Sequence, residues 1–402
     1  MLKDLTNATA KKLSQGNKNI IKKRTVESRS LFCLNMYMNI KDDSGKLFYI
    51  GGFVRDELLG IKNFDVDITY VGNAIEDCSD MGEVIRTNPD FGTIRVKINN
   101  EEVDIASTRS EIYPKSGHLP VVDKIGCSLK EDVLRRDFTV NALAKSVKTG
   151  EIIDYTGGLD DLKNGILRVL HDKSFIDDPT RILRLLKFSL RFNFMPDEKT
   201  HKLMSDYLEN VNYDMCYPRI KKELKETFNL NNAQGFERFF DEKIYKLLTP
   251  VEQIKPEINP REIVEFMQNK GIKFDNLWLA YIGTISDLSR IEFTRQENKI
   301  LDDLKILQEK SPETDFEIYR KFSAVVPETL VLYAVTTNKA PVIHYINDLM
   351  NIKSEITGDD IISLGIKPSA KYSEILDKVT EYKIQHPEIG KAEEIEFVKQ
   401  FI

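Results

Sequence analysis

Cysteine is scarce in this chain: four residues among 402, Cys33, Cys78, Cys127 and Cys216, stand far apart with no C-x-x-C pair. Neither a zinc knuckle nor a disulfide framework is indicated. The five histidines are scattered, so a His-based metal site is not indicated either. Long apolar runs are missing, since nothing approaches the roughly 20 uninterrupted apolar residues a membrane span needs. Met1–Arg24 also lacks the compact apolar segment of a signal peptide, and the expected location is the cytoplasm, with no membrane partner. Gly and Pro, at 20 and 14 residues, are too few for a fibrous or low-complexity chain. A large positive excess is absent too: 58 Lys and Arg against 64 Asp and Glu leave a net charge of −6. That argues against non-specific coating of nucleic acid, which rests on concentrated positive charge.

What is present is the balance of a globular protein, 41% hydrophobic and 30% charged, long enough for two to four packed units. Basic residues gather in two places. Met1–Arg24 carries seven Lys or Arg against one acid, and Arg181–Lys225 carries ten against six.

Residues 47–158 read as mixed α/β. Leu47–Ile50 is a short apolar run ended by Gly51-Gly52, after which Phe53–Leu59 has the character of a helix. Phe64–Tyr70 alternates as a strand. Phe91–Ile98 and Glu102–Ser107 alternate again around Asn99-Asn100, a tight-turn pair. Tyr113–Gly126, with two prolines and two glycines, reads as an exposed loop. After Gly158 the spacing turns helical, as in Ile182, Leu183, Leu185, Leu186, Phe188, Leu190 and Phe192. Pro218, Pro250, Pro256, Pro260, Pro312 and Pro327 punctuate the rest into helices of ordinary length, and a last unit is expected to begin near Thr357.

The most informative feature is Gly51-Gly52-Phe53-Val54-Arg55-Asp56 followed by Asp65-Val66-Asp67. On a strand, side chains two apart share a face, so Asp65 and Asp67 can converge on a metal. Such hard oxygen ligands suit Mg²⁺, which reaches proteins through one or two carboxylates plus substrate phosphates. The Gly-Gly turn presents backbone N–H groups at a helix N-terminus to an anion. A D-x-D alone is commonly a surface turn; the preceding G-G-x-x-R-D at this distance gives it chemical weight. Asp104, alternating with Val103 and Ile105, can join the same sheet face. Arg135-Arg136-Asp137 with Asn141 offers guanidinium donors for phosphate and polar groups for ribose hydroxyls. Asp178 and Arg181, three apart at a helix start, point from one face and pair one acceptor with one donor, which matches cytosine and adenine and opposes uracil and guanine.

Together these segments resemble the class II tRNA nucleotidyltransferase and bacterial poly(A) polymerase family from about Leu47 to Phe194. Ile50–Gly60 with Asp65-Val66-Asp67, Leu134–Ala142, Tyr155–Leu162 and Asp177–Phe192 look like successive family motifs in order. The resemblance implies an α+β protein: an N-terminal nucleotidyltransferase head with a small mixed sheet, then all-α neck, body and tail domains. The expected boundaries are a basic N-terminal arm over 1–34, head over 35–158, neck over 159–230, body over 231–345 and a tRNA-contacting tail over 346–402. The tail likeness is looser, with Lys367-Pro368-Ser369-Ala370 where the family often has a Pro-Gly pair.

The resemblance also implies that Asp65 and Asp67 bind metal, that Asp104 is the third catalytic acid, and that Asp178 and Arg181 read the incoming base. Gly51, Gly52, Arg55, Arg136, Asp137 and Asn141 complete the expected nucleotide-binding set. The expected activity is template-independent addition of C and A from CTP and ATP to the 3′ end of tRNA, with Mg²⁺ as cofactor and no obligate protein partner. In that reaction the 3′-hydroxyl attacks the α-phosphate with two metals assisting, and pyrophosphate leaves. Alternatives are an A-only or CC-only enzyme, a poly(A) polymerase, or an RNA-binding protein with a decayed head. The residues Asp65, Asp67 and Asp104 speak against the last.

Overall fold

The computed structural model describes residues 40, 42–63, 66–365 and 370–401. The basic arm over 1–34, Asp65 and residues 367–369 lie outside the described residues. The chain divides into two compact units, one ending at Pro114 and resuming over Pro120–His171, the other made of Lys115–Leu119 and the chain from Asp172 onward.

In the first unit, β1 (Leu47–Ile50) leads into α1 (Gly52–Leu59), followed by β2 (Ile68–Tyr70), β3 (Glu83–Asn88), β4 (Thr93–Ile98) and β5 (Glu101–Ser107). Then come β6 (Arg109–Ile112), β7 (Val121–Ile125), α2 (Leu129–Leu134), β8 (Leu143–Ser146), β9 (Ile152–Asp154) and α3 (Gly158–Asn164). Seven strands form one sheet in the order β3-β4-β5-β2-β1-β8-β9. The β2–β5 pair is parallel and the other pairs are antiparallel, which makes the sheet mixed, as expected. The β4–β5 turn runs through Asn99 at φ 53° and Asn100 at φ 69°. Two successive positive φ values are what a type I′ hairpin turn demands, and Asn tolerates them. Beyond the turn, Ile94 and Val96 on β4 and Val103 and Ile105 on β5 are buried, while Arg95 and Asp104 pair across the other face. Gly60, left-handed, closes α1 through its N–H to the Glu57 carbonyl at 2.9 Å, a helix stop that sterically suits glycine.

Two sequence expectations change here. The strand expected over Phe64–Tyr70 is Ile68–Tyr70 among the described residues, because the ladder with β5 begins only at Ile68. The loop expected over Tyr113–Gly126 contains β7, paired antiparallel with β6. Turn-forming residues mark only the hairpin tip, and Val121-Val122 with Ile125 supply the β-branched residues that pair.

The second unit is helical, and no described helix is long and apolar enough to cross a membrane. Its longer described helices begin with α4 (Thr180–Phe192), α5 (Glu198–Glu209), α6 (Tyr217–Phe228), α7 (Ala233–Asp241), α8 (Pro260–Asn269), α9 (Leu277–Ile282) and α10 (Arg295–Glu309). Beyond these lie α11 (Asp315–Phe322), α12 (Pro327–Thr336), α13 (Lys339–His344), α14 (Gly358–Ser363), α15 (Ala370–Gln385) and α16 (Lys391–Val398). Pro218, Pro260 and Pro327 sit in the first turn of their helices, where a missing N–H costs nothing. Aromatic rings form the inner packing: Phe228 meets Phe239 at 5.2 Å and Tyr281 at 5.4 Å between centroids. Each such fully buried ring contributes roughly 1.5–3 kcal/mol relative to exposure.

Candidate active site

The chain turns sharply at the end of β1. Gly51 adopts φ 69° and ψ −129°, a conformation that side-chain-bearing residues rarely adopt. Its N–H donates to the Leu143 carbonyl at 3.1 Å and its carbonyl accepts the Arg55 N–H at 3.1 Å, which starts α1. A Cβ at Gly51 would lie 2.5 Å from Nη1 of Arg136, so the missing side chain is what lets that guanidinium rest against the turn. The first turn of α1 carries no acidic residue and no capping side chain, leaving Gly52 at a helix N-terminus of positive dipole.

The adjacent arginines separate in role. Arg135 is engaged within the fold, with Glu111 at 2.9 Å and Asp132 at 3.0 Å. Arg136 reaches Asp132 only at 3.4 Å, and its buried Nε has no hydrogen-bond partner. Burial pushes the Arg136 pKa below its ordinary value, while Asp132, Asp67 and Asp137 pull it up and Arg135 pushes it down. Arginine keeps its charge in proteins; the result is an under-compensated cation beside a glycine turn, which suits a phosphate.

Arg55, expected in the nucleotide-binding set, is tied to side chains of its own unit. Buried, it donates from Nε and Nη2 to Oδ1 of Asp56 at 2.8 and 2.6 Å, and from Nη1 to Oδ1 of Asn141 at 2.5 Å. Asn141 in turn donates to Oδ1 of Asp137 at 2.9 Å. This chain of buried side chains braces α1 against the segment carrying Arg136, since one unmatched member would strand a buried polar group.

Asp67 is exposed just before β2, its carbonyl accepting the Ile50 N–H at 3.1 Å. The register sets Ile68 beside Ile105, and Asp67, just before β2, and Asp104, on β5, each precede that pair by one residue. Asp104 is exposed and gripped by Arg95, Nε to Oδ1 at 2.7 Å and Nη2 to Oδ2 at 2.5 Å. Those bonds hold its carboxyl below the usual range although partial burial pushes it up. Among the described residues no three His, Cys, Asp or Glu side chains group as a metal site, Asp65 being outside them. Asp67 and Asp104 are hard oxygen donors of the type a divalent cation takes.

In the second unit, Asp178 lies before α4 on extended backbone with φ −139°, not on the helix itself. The shared helix face expected of Asp178 and Arg181 therefore does not arise. Asp178 is 5% exposed. Its Oδ1 accepts the N–H and hydroxyl of Thr180 at 3.2 and 2.5 Å, and its Oδ2 accepts Nη2 of Arg219 at 2.5 Å. Arg181 is buried and donates from Nη1 to the Ser174 hydroxyl at 2.7 Å. Sequence reasoning missed Ser174, Thr180 and Arg219. Only the Pro218-Arg219 helix start could have signalled the last. The same unit includes the hairpin tip, where Gly117 donates to the Asp177 carbonyl at 3.0 Å and accepts the Cys216 N–H at 2.9 Å.

Residues 47–168 match the family model described as the poly A polymerase head domain. An A-adding tRNA nucleotidyltransferase of Aquifex aeolicus is 46% identical over 166 residues, 40% of this chain and 20% of that protein. Another, of Geobacter sulfurreducens, is 30% identical over 383 residues, 83% of this chain and 42% of that protein. The chain thus spans less than half the length of these two relatives. Among solved structures, the Thermotoga maritima CCA-adding enzyme complexed with tRNA has a TM-score of 0.70 at 26% identity, covering 95% of this chain and 97% of that one. Residues 47–168 thus carry the poly A polymerase head domain, and in its head and its helical remainder the chain is similar to class II tRNA nucleotidyltransferases.

Proposed function

We propose that the chain adds nucleotides from CTP and ATP to the 3′ end of tRNA, completing CCA, with AMP as the last residue added. The observation that carries the proposal is the guanidinium of Arg136 lying against the side-chain-free Gly51 turn, at the start of α1 and within the field of Asp67. Arg136 and the backbone N–H groups of α1 hold the triphosphate, and the Arg55–Asn141–Asp137 chain keeps both in place. Asp178 and Arg181 select the base. Asp65 and Asp67 would hold a divalent cation, for which we propose Mg²⁺, with Asp104 as the third acid, and the cation would supply charge neutralisation at the phosphates. The primer 3′-hydroxyl attacks the α-phosphorus in line, a P–O bond forms there, and pyrophosphate departs. The helical unit holds RNA by backbone shape and phosphate contacts rather than by base sequence.

An A-only enzyme is the second reading, favoured because both relatives compared above are named A-adding, whereas the tRNA-bound structure is of a CCA-adding enzyme. Transcripts ending before CCA, after the first C and after both C residues separate the two. The proposed enzyme extends all three when given CTP and ATP. An A-only enzyme extends just the transcript ending in CC, and failure on that transcript with ATP would remove both readings.

A further inference from the structure

Asp178 is held by more than the helix it precedes. A carboxylate offers about four acceptor positions. Three are filled here, two on Oδ1 by the N–H and hydroxyl of Thr180 and one on Oδ2 by Arg219. Arg219 also reaches the Thr180 hydroxyl at 3.4 Å, so the three side chains close on one another. One acceptor position remains, on Oδ2. Arg219 lies 38 positions beyond Arg181 in the sequence, in the first turn of α6, outside every motif that marked the site. Its Nη1 is buried without a hydrogen-bond partner, an arrangement that leaves a donor uncompensated inside the fold.

We propose that Arg219 is a positioning residue for nucleotide selection, fixing the Asp178 carboxylate so that a single acceptor position faces the base. The inference rests on the reading of Asp178 as a base-selecting group. A carboxylate that kept all its lone pairs and rotated freely would meet adenine's amino group well, but it would also turn away from guanine's carbonyl and lose its power to reject it. Held by Thr180 and Arg219, it cannot turn, and a base presenting oxygen meets oxygen. Selectivity then comes from the repulsive contact as much as from the attractive one. The arginine suits this task because its planar fork fixes direction as well as charge.

The test uses full-length protein and a tRNA transcript ending in CC, and reads the ratio of kcat/KM for ATP to that for GTP. Asp178→Ala, Arg219→Gln and Arg219→Lys are compared with the parent, and melting temperature is followed for each. Arg219→Gln is expected to lower the ratio about tenfold, mainly by raising use of GTP, with partial recovery in Arg219→Lys, which restores charge without the fork. A merely structural role would depress both nucleotides together and leave the ratio alone. An unchanged ratio in Arg219→Gln, or in Arg219→Lys should the glutamine variant not fold, overturns the role of Arg219 while a collapsed ratio in Asp178→Ala keeps the base-reading assignment. An unchanged ratio in Asp178→Ala overturns both.

Discussion

At the scale of single residues, the site depends on a hydrogen atom where every other amino acid has carbon. Gly51→Ala forces a backbone shape that costs about 1–3 kcal/mol and drives a methyl group into Arg136. Gly157 shares a positive φ, 79°, yet has nothing within 4 Å of an added Cβ. Gly157→Ala should therefore lower the melting temperature alone. Gly51→Ala should do so and also raise KM for ATP by at least about tenfold, since a displaced charge-assisted contact is worth roughly 1.5–3 kcal/mol. Steady-state kinetics beside thermal melts would check this, and equal effects of the two variants on KM would refute the cradle. This turn was legible in the sequence because a Gly-Gly pair after a short strand has few other uses. The second partner of Arg55 was not, because nothing local says that beside Asp56 it also bonds Asn141, 86 positions away.

Among the elements, α6 acts as a strut. Its Arg219 holds Asp178, its Glu223 takes Lys187 of α4 at 2.6 Å, and its Lys221 and Lys225 clasp Glu297 of α10 at 2.6 and 2.7 Å. Burial pushes the Glu297 pKa upward, but hydrogen bonds from both lysines and from the Thr294 N–H prevail and bring it from 4.5 down to about 2. A depressed carboxyl stabilises the fold above its unfolded pKa and stops doing so as pH falls through the folded one. The contribution of Glu297 is thus complete above 4.5 and fades toward about 2. Glu297→Gln should lose roughly 2 kcal/mol at neutral pH and show a shallower decline in melting temperature across that acid window. Parallel curves for the two proteins would mean that Glu297 is not the titrating group. The helices themselves were readable from apolar spacing punctuated by prolines. The cross-links were not, for a periodic pattern reports which face is buried and is silent about which helix lies there.

For the molecule as a whole, the expected carboxylates of chemistry sit in the first unit and the expected base-reading pair in the second. Substitutions should therefore fail in different ways. Asp67→Asn should lower addition of every nucleotide by a similar factor, at least about a hundredfold if the group serves the reacting phosphates. Arg181→Ala should change which nucleotide is preferred, by about 1–3 kcal/mol of discrimination. Single-turnover assays with ATP, CTP, GTP and UTP would reveal the split, and a preference shift in Asp67→Asn would contradict it. The passage from a mixed sheet to helices was visible in sequence as a change from alternating to helical spacing after Gly158. The acceptor geometry at Asp178 needed Arg219, which folding alone brings near.

The hairpin tip gives this division an unusual topology. Residues 115–119 leave the first unit after Pro114 and return at Pro120, and Gly117 bonds on both sides to backbone of the second unit, at Asp177 and Cys216. The polypeptide accordingly passes from one unit to the other three times, like a stitch that re-enters the cloth before the seam. A single break between His171 and Asp172 would not free a complete half. The C-terminal piece would lack five of its own residues, and the carbonyl just before Asp178 would lose the N–H that holds it.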